Sequence, residues 1–369
     1  MTGNPRKISI VAGARPNFMK IAPIMRALDA RPADFAWRLV HTGQHYDAEM
    51  SDVFFDELGI PRPHAFFDAG GGSHAQQTAK IMVKYEEVCE AERPDVALVV
   101  GDVNSTLACS IVAKKMGIAV AHVEAGLRSG DMTMPEEVNR IVTDSISDYF
   151  FVTEPSGVDN LLREGHARES IHFVGHVMID NLFYQVDRLA RLDAVALPSA
   201  ALKARLGRYG VVTLHRPSNV DSEDSLRNIV SALSEVGREL PLVFAAHPRT
   251  QRNLERFGID LPDTIIKTPP LAYMDFLNLW KDAAVVLTDS GGLQEETTAL
   301  GVPCVTLRLN TERPVTVSHG SNVLAGTDPA RIVALTRGVL ARERGGKPPR
   351  PELWDGNAAE RIAEILARG

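Results

Sequence analysis

The sequence predicts an α/β protein built as two Rossmann-like, doubly wound domains facing a cleft. Three observations lead there. Short apolar runs rich in β-branched residues alternate with amphipathic helical segments along nearly the whole chain, as in parallel sheets crossed over by helices. The alternation pauses once, over a charged helical stretch from Asp180 to Arg208, and then restarts; 369 residues are also too many for one compact core. Several predicted strands end in turns that carry glycines, carboxylates or histidines, and in such sheets ligands bind beyond the carboxyl ends of the strands.

Taken in order, Ile8–Ala12 reads as the first strand, with Gly13 to Pro16 turning into a helix over Phe18–Ala30. Trp37–Thr42 is a second strand. Asp47–Leu58 has helical spacing stopped at Gly59, and His64–Ser73, with three consecutive glycines, reads as a loop. Gln76–Ala91 is a long amphipathic helix, followed by strand Asp95–Val100, helix Ser105–Met116 closed by Gly117, and strand Ile118–Val123. Helix Glu136–Ser147, strand Tyr149–Val152, helix Ser156–Arg163 and strand Ile171–Val174 complete the first domain, residues 1–178.

The second domain, 179–351, reads as strand Val211–Leu214, helix Ser225–Arg238, strand Leu242–Ala246, helix Gln251–Phe257, strand Thr264–Lys267 and helix Tyr273–Trp280. Strand Ala284–Thr288, helix Leu293–Leu300, strand Val302–Leu307 and helix Pro329–Ala341 follow. An amphipathic tail, 352–369, is expected to pack back on the first domain.

Composition narrows the partners. A hydrophobic fraction of 44% with 24% charged residues is ordinary for a globular protein. A net charge of −7 without any basic run argues against nucleic acid as a partner. No apolar stretch has membrane-spanning length, and Ile8–Gly13 is too short for a leader, so a cytoplasmic location with no membrane contact is expected. Cys89, Cys109 and Cys304 are odd in number and lack CxxC spacing, which suits buried thiols in a reducing compartment.

The stretch AVVLTDSGGLQEETTALG, residues 284–301, concentrates the chemistry. A buried strand runs into Asp289-Ser290-Gly291-Gly292 and then a helix, which directs free backbone N–H groups and a positive dipole end at one point. That makes an anion site, most often for phosphate. Glu295 and Glu296 in the next turn would repel a phosphate unless one serves the rest of a ligand, and a carboxylate there accepts two hydrogen bonds from a ribose diol. The same stretch also reads as a plain capped helix whose acids complement its dipole.

In the first half, strand ends deliver Arg15, then Lys20 a little into the helix, then Asp102 in GDVNST and Glu124 in HVEAGLR with Arg128 beyond it. The helix beginning MPEEVNR presents Glu136 and Glu137 at its first turn and Arg140 on the same face. Carboxylates converging on one site suit acid–base work, and like charges held close are expected to raise at least one carboxyl pKa. In the second half His215 (VTLHRPSN) and His247 (AAHPRT) end two strands and suit a diphosphate contact or proton transfer; Arg313 in TERP follows the last strand. His41 and His45 are four apart, but Gly43 and the strand context take them off a helix, so no metal site is read. Neither a Walker A sequence nor GxGxxG is present, and no nicotinamide or other cofactor is expected.

Taken together and in this order, GARPNFMK, TGQHYD, GDVNST, HVEAGLR, PEEVNR, VTLHRPSNVD, DSGGLQEE and TERP resemble the non-hydrolysing UDP-N-acetylglucosamine 2-epimerase family, from about Ile8 to about Gly326. The resemblance implies the two-domain fold of the B-type glycosyltransferases, a UDP-sugar in the cleft, and a homodimer. It implies that Ser290, Gly291 and Gly292 hold the diphosphate together with Arg15 and His215, that Glu296 holds the ribose and that Phe276 lies against the uracil. Asp102, Glu124 and Glu136 would be the acid–base carboxylates. Arg140 and Arg313 would orient the sugar.

The best-known bacterial branch of that family reads GTRPE and GHRRE where this chain has GARPN and LHRPSN, and its activator-site residues near Gln44 and His45 are only partly matched. A UDP-diacetamido-glucuronate, oxidised at C6, is therefore an alternative substrate, with Lys20 and the arginines available to its extra carboxylate. A hydrolysing epimerase, a glycosyltransferase of the same fold and a non-catalytic nucleotide-sugar sensor are the other readings.

Overall fold

The computed structural model describes residues 4–43, 55, 58–192, 197–342 and 350–368, and of Arg15 the backbone alone. The chain forms two compact units, Met1–Asn181 with Glu352–Gly369, and Leu182–Pro351. In the first unit come β1 (Arg6–Ala12), α1 (Arg15–Asp29), β2 (Phe35–His41), β3 (Ala65–Phe66), α2 (His74–Glu92) and β4 (Val96–Val100). Then follow α3 (Asn104–Lys115), β5 (Ala119–Val123), α4 (Pro135–Ile146), β6 (Tyr149–Val152), α5 (Pro155–Arg163) and β7 (Ile171–Phe173). Helix α6 (Val177–Arg191) carries the chain onward into the second unit.

That unit comprises α7 (Pro198–Leu206), β8 (Gly210–Thr213), α8 (Pro217–Val220), α9 (Glu223–Gly237), β9 (Leu242–Ala245), α10 (Pro248–Arg256) and β10 (Ile265–Thr268). It continues with α11 (Tyr273–Trp280), β11 (Val285–Thr288), α12 (Gly291–Leu300), β12 (Cys304–Thr306), α13 (Val315–Ser318), β13 (Asn322–Leu324) and α14 (Pro329–Leu340). Helix α15 (Ala358–Arg368) belongs to the first unit.

Both sheets are parallel throughout the described pairings, in the orders β3-β2-β1-β4-β5-β6-β7 and β10-β9-β8-β11-β12-β13. Strands covered by helices on both faces are apolar along their length, which is why β4 (VALVV) is buried at every position. The strand order reverses between β1 and β4 in one sheet and between β8 and β11 in the other. At each reversal the connections leave to opposite faces, so the loops after those two strands part and open a crevice at their carboxyl ends.

Five short elements go beyond what the sequence predicts: β3, within the expected His64–Ser73 loop, a 3-10 turn at Arg168–Ser170, and α8, α13 and β13. Each spans only two to four residues, too few to carry a period. The helix expected over Asp47–Leu58 lies outside the described residues apart from Phe55 and Leu58, as do Gln44 and His45.

Residues 352–368 are held within the first unit by directed contacts. Arg6 Nη1 donates to the Leu366 carbonyl at 2.6 Å, Arg361 Nη1 to the Val174 carbonyl at 2.9 Å, and Ala359 N to Asp180 at 2.7 Å. Trp354 is buried, and α15 packs on α1. Burial pushes the Asp180 carboxyl up to about 6, against the pull of the Ala359 and Ala358 amides. Among the described residues no helix is long and apolar enough to cross a membrane.

Candidate active site

In the first unit the loops after β1, β4 and β5 meet. Asn17, at the start of α1, accepts from Gly13 N and Ala14 N at 3.1 and 2.9 Å and donates to the Val100 carbonyl at 3.2 Å, tying the end of β1 to the end of β4. Lys20, one turn on, forms an ion pair with Glu124. Glu124 follows β5 with φ of 70°, a left-handed conformation that only a supporting structure holds for a non-glycine residue. That support is the edge of β6, because both Glu124 N and Ala125 N reach the Phe151 carbonyl, at 3.0 and 3.3 Å. Gly101 turns at φ 69°; a Cβ there would stand 3.2 Å from Lys20 Nζ and 3.5 Å from Glu124 Oε2, so glycine leaves the ion pair its room.

Helix α4 supplies the second set. Arg140 forms an ion pair with Asp102 and a second one with Glu137 at 2.8 Å. Glu137 is buried and accepts from Ser129 N at 3.0 Å and Gly130 N at 2.9 Å. Burial opposes its charge, yet these amides and Arg140 hold its carboxyl below the usual range. Glu136, one residue earlier, is exposed. The expected upward pKa shift from clustered carboxylates is not what this arrangement produces at Glu137, whose carboxylate meets a guanidinium and backbone amides rather than another carboxylate.

In the second unit Asp289 lies fully buried between the ends of β8 and β11. It accepts from His215 N and Arg216 N at 3.1 and 3.0 Å, from Asn219 Nδ2 at 3.1 Å and from His215 Nδ1 at 3.0 Å. Burial works against its charge, but the His215 hydrogen bond and the backbone amides keep its carboxyl below the ordinary value. Ser290 caps α12 by accepting from Leu293 N at 3.5 Å. Beside Gly292 a Cβ would meet no atom within 4 Å, which leaves the N-terminal turn of α12 approachable by a ligand.

Glu296, one turn further, is buried and accepts from the Tyr273 hydroxyl at 3.0 Å. Burial pushes its carboxyl up to about 7; Tyr273 opposes the shift and Glu295 adds to it. Glu295 instead forms an ion pair with Arg313. Phe276 lies half-buried on α11, three residues after Tyr273.

Of the side chains singled out in the sequence, Lys20 and Glu124 are joined, as are Asp102 and Arg140, while His215, Ser290, Gly291, Gly292 and Glu296 gather at the β8/β11 reversal or on α12. Arg15 opens α1, but its side chain lies outside the described residues. Arg313 is tied to Glu295. Asn17, Tyr273 and Asp289 carry no role in the sequence analysis, and Glu137, presented there beside Glu136, is the one of the pair that is buried. Asn17 and Asp289 stand inside quoted motifs, and a short polar residue beside a strand-end turn was the available signal. Tyr273 had none, because its partner is 23 residues away. Among the described residues no group of three His, Cys, Asp or Glu side chains is placed to hold a metal ion.

Two parallel sheets of this order, each crossed over by helices and each reversing at a strand pair whose loops carry charged side chains, place the chain among the two-Rossmann-unit α/β proteins. The chain belongs to the UDP-N-acetylglucosamine 2-epimerase family, whose model matches residues 26–367. It is 40% identical over 369 residues to the UDP-N-acetylglucosamine 2-epimerase of Methanocaldococcus jannaschii, covering 98% of this chain and 99% of that one. It is 39% identical over 368 residues to the UDP-2,3-diacetamido-2,3-dideoxy-D-glucuronate 2-epimerase of Pseudomonas aeruginosa, with 98% and 99% covered. The crystal structure of the Methanocaldococcus jannaschii UDP-GlcNAc 2-epimerase in complex with UDP-GlcNAc and UDP matches with a TM-score of 0.83 at 40% identity, covering 98% of this chain and 100% of that chain.

Proposed function

We propose that this enzyme inverts C2 of a UDP-linked N-acetylated hexose, of the UDP-N-acetylglucosamine to UDP-N-acetylmannosamine type, without hydrolysing it. The C2 proton is not adjacent to a carbonyl and resists removal. Elimination solves this: a carboxylate takes the C2 proton, the C2–H electrons form the C1=C2 bond, and the C1–O electron pair leaves with UDP, giving a 2-acetamidoglucal. The UDP oxygen then adds back to C1 while a proton is delivered to C2 from the other face. One carboxylate ends the turnover protonated and the donor on the other face deprotonated; exchange of both with solvent restores the starting state and admits deuterium from the solvent at C2.

Ser290, Gly291 and Gly292 hold the diphosphate with Arg15 and His215, and donors preorganised there stabilise the charge that develops as UDP leaves. Glu296 accepts from the ribose hydroxyls and Phe276 lies against the uracil. Asp102, Glu124 and Glu136 move the protons; Lys20, Arg140 and Arg313 orient the sugar and the carboxylates. The observation that carries the reading is the pairing of Glu124 with Lys20 and of Asp102 with Arg140 at strand ends of one unit, in a chain whose other unit opens a helix N-terminus beside Gly292. The homodimer and the cytoplasmic setting belong to the same reading, and the buried free thiols of Cys89, Cys109 and Cys304 fit a reducing compartment.

A second reading, UDP-2,3-diacetamido-glucuronate as substrate, is favoured by the Pseudomonas relative's 39% identity, nearly equal to that of the Methanocaldococcus relative. NMR of the products from a small panel of UDP-sugars in deuterated water separates the two. Inversion with deuterium at C2 of one substrate is expected. Release of free sugar, or transfer only when an acceptor is added, would replace the epimerase reading.

A further inference from the structure

His122 and Asp144 have no part in the reaction as assigned, yet both are fully buried. His122 is in β5, two residues before Glu124. Its Nδ1 faces Asp144 Oδ1 at 2.7 Å and its Nε2 faces the Gly101 carbonyl at 2.9 Å. A carbonyl only accepts, and Asp144 already accepts from Gly126 N at 3.0 Å and Arg128 Nη1 at 2.8 Å through its other oxygen. The imidazole therefore donates from both nitrogens.

Gly101 immediately precedes Asp102, and three residues of α4 act on the Gly101–Asp102 segment. Arg140 holds the Asp102 carboxylate, Asn139 Nδ2 donates to the Asp102 carbonyl at 2.8 Å, and Asp144, one turn beyond Arg140, reaches the Gly101 carbonyl through His122. On the other side of Gly101 stand Lys20 Nζ and Glu124 Oε2. This one peptide thus lies between the Asp102 carboxylate, which it carries, and the Lys20–Glu124 ion pair, which it borders.

We infer that His122 is a positioning residue for the C2 chemistry: seated on Asp144, it fixes the Gly101 carbonyl and so holds Asp102 and Glu124 in register with each other. The inference rests on those two carboxylates being the acid–base pair proposed above. Partners that orient metal-bound ligands through a hydrogen bond are worth about 10–100-fold in activity, and an effect of that order is expected where His122 fixes the Gly101 carbonyl.

The test compares two substitutions that mimic opposite ends of the ring. In His122→Asn the amide replaces Nδ1, keeps Asp144 and loses Gly101. In His122→Gln the longer amide replaces Nε2 and recovers Gly101. His122→Asn is expected to lower kcat and the rate of C2 deuterium exchange about tenfold or more, with KM and UDP affinity within about twofold, and His122→Gln to restore most of the rate. Unchanged exchange in His122→Asn overturns the inference. So does parallel loss of rate, UDP affinity and cooperative melting in both variants, which marks a purely structural residue.

Wild-type protein labelled with 15N-histidine gives an independent readout: among its 11 histidines, one is expected to show protected protons on both ring nitrogens. No such histidine would also overturn the arrangement. If Asp102→Asn and Glu124→Gln leave exchange intact, the assignment of the carboxylates fails instead, whatever the His122 variants do.

Discussion

The hydroxyl of half-buried Tyr273 donates to Oε1 of buried Glu296 at 3.0 Å in the second unit, and the Glu296 carboxyl is pushed up to about 7. Accepting from a ribose diol requires the ionised form, so nucleotide affinity should fall as pH drops below about 7, at most tenfold per unit. Calorimetry with UDP-N-acetylglucosamine, whose diphosphate diester does not titrate in this range, measures it, and Glu296→Gln should flatten the profile. The sign for folding is opposite. The native state takes up this proton more readily than the unfolded chain, so the contribution of Glu296 to stability is fully present below its ordinary value of 4.5 and is lost as pH rises through about 7. An affinity that does not change between about pH 8 and pH 6 would remove Glu296 from the nucleotide site.

Asp102→Asn, Glu124→Gln and Glu136→Gln should each suppress deuterium incorporation at C2 by about a hundredfold or more while leaving UDP affinity within about twofold. Glu137→Gln separates Glu136 from its neighbour. Because Glu137 binds the Ser129 and Gly130 amides and Arg140, it should lose melting temperature before it loses exchange at a fixed substrate concentration. The reverse pattern would move the acid–base role from Glu136 to Glu137.

Asp289→Asn keeps the shape but loses the charge that four donor contacts converge on. Leaving buried donors poorly matched costs about 1–3 kcal/mol, read by urea denaturation, and UDP affinity should fall with it as the His215 turn loosens. The wild-type Asp289 carboxyl sits below its ordinary value. Its stabilisation is therefore present above that value and is lost as pH falls through the lowered one. A variant with unchanged stability would show that the β8 turn holds itself.

Gly292→Ala separates binding from folding. No atom lies within 4 Å of the added methyl, and alanine in a helical turn stabilises by about 0.5–1 kcal/mol relative to glycine. Melting temperature should hold or rise while UDP affinity drops, since a phosphate would approach where the methyl stands. Equal UDP affinity would show that the anion binds elsewhere.

The strand-and-helix order was legible because strands buried on both faces need continuous apolar runs, as in VALVV and AVVLT. The turn and capped helix of the candidate site were legible where the local sequence dictates backbone geometry, as in DSGG. The site was less legible where partners are remote. Tyr273 finds Glu296, and His122 finds Gly101, only once the sheet order has formed. Glu136 and Glu137 are chemically equivalent neighbours, and successive helical residues point about 100° apart. Only the packing of α4 decides which one is buried.

The second unit is inserted, in sequence, between Asn181 and Glu352 of the first. On the ribosome its whole sequence is therefore available before that of the first unit, although it is encoded later. The socket that takes Leu366, Ala359 and Trp354 must wait, with Asp180 and the face of α1 uncovered, until the residues after 351 emerge. A nascent chain stalled just short of that point carries the whole sequence of the second unit and an incomplete first one. That exposed socket is where a chaperone would be expected to engage it.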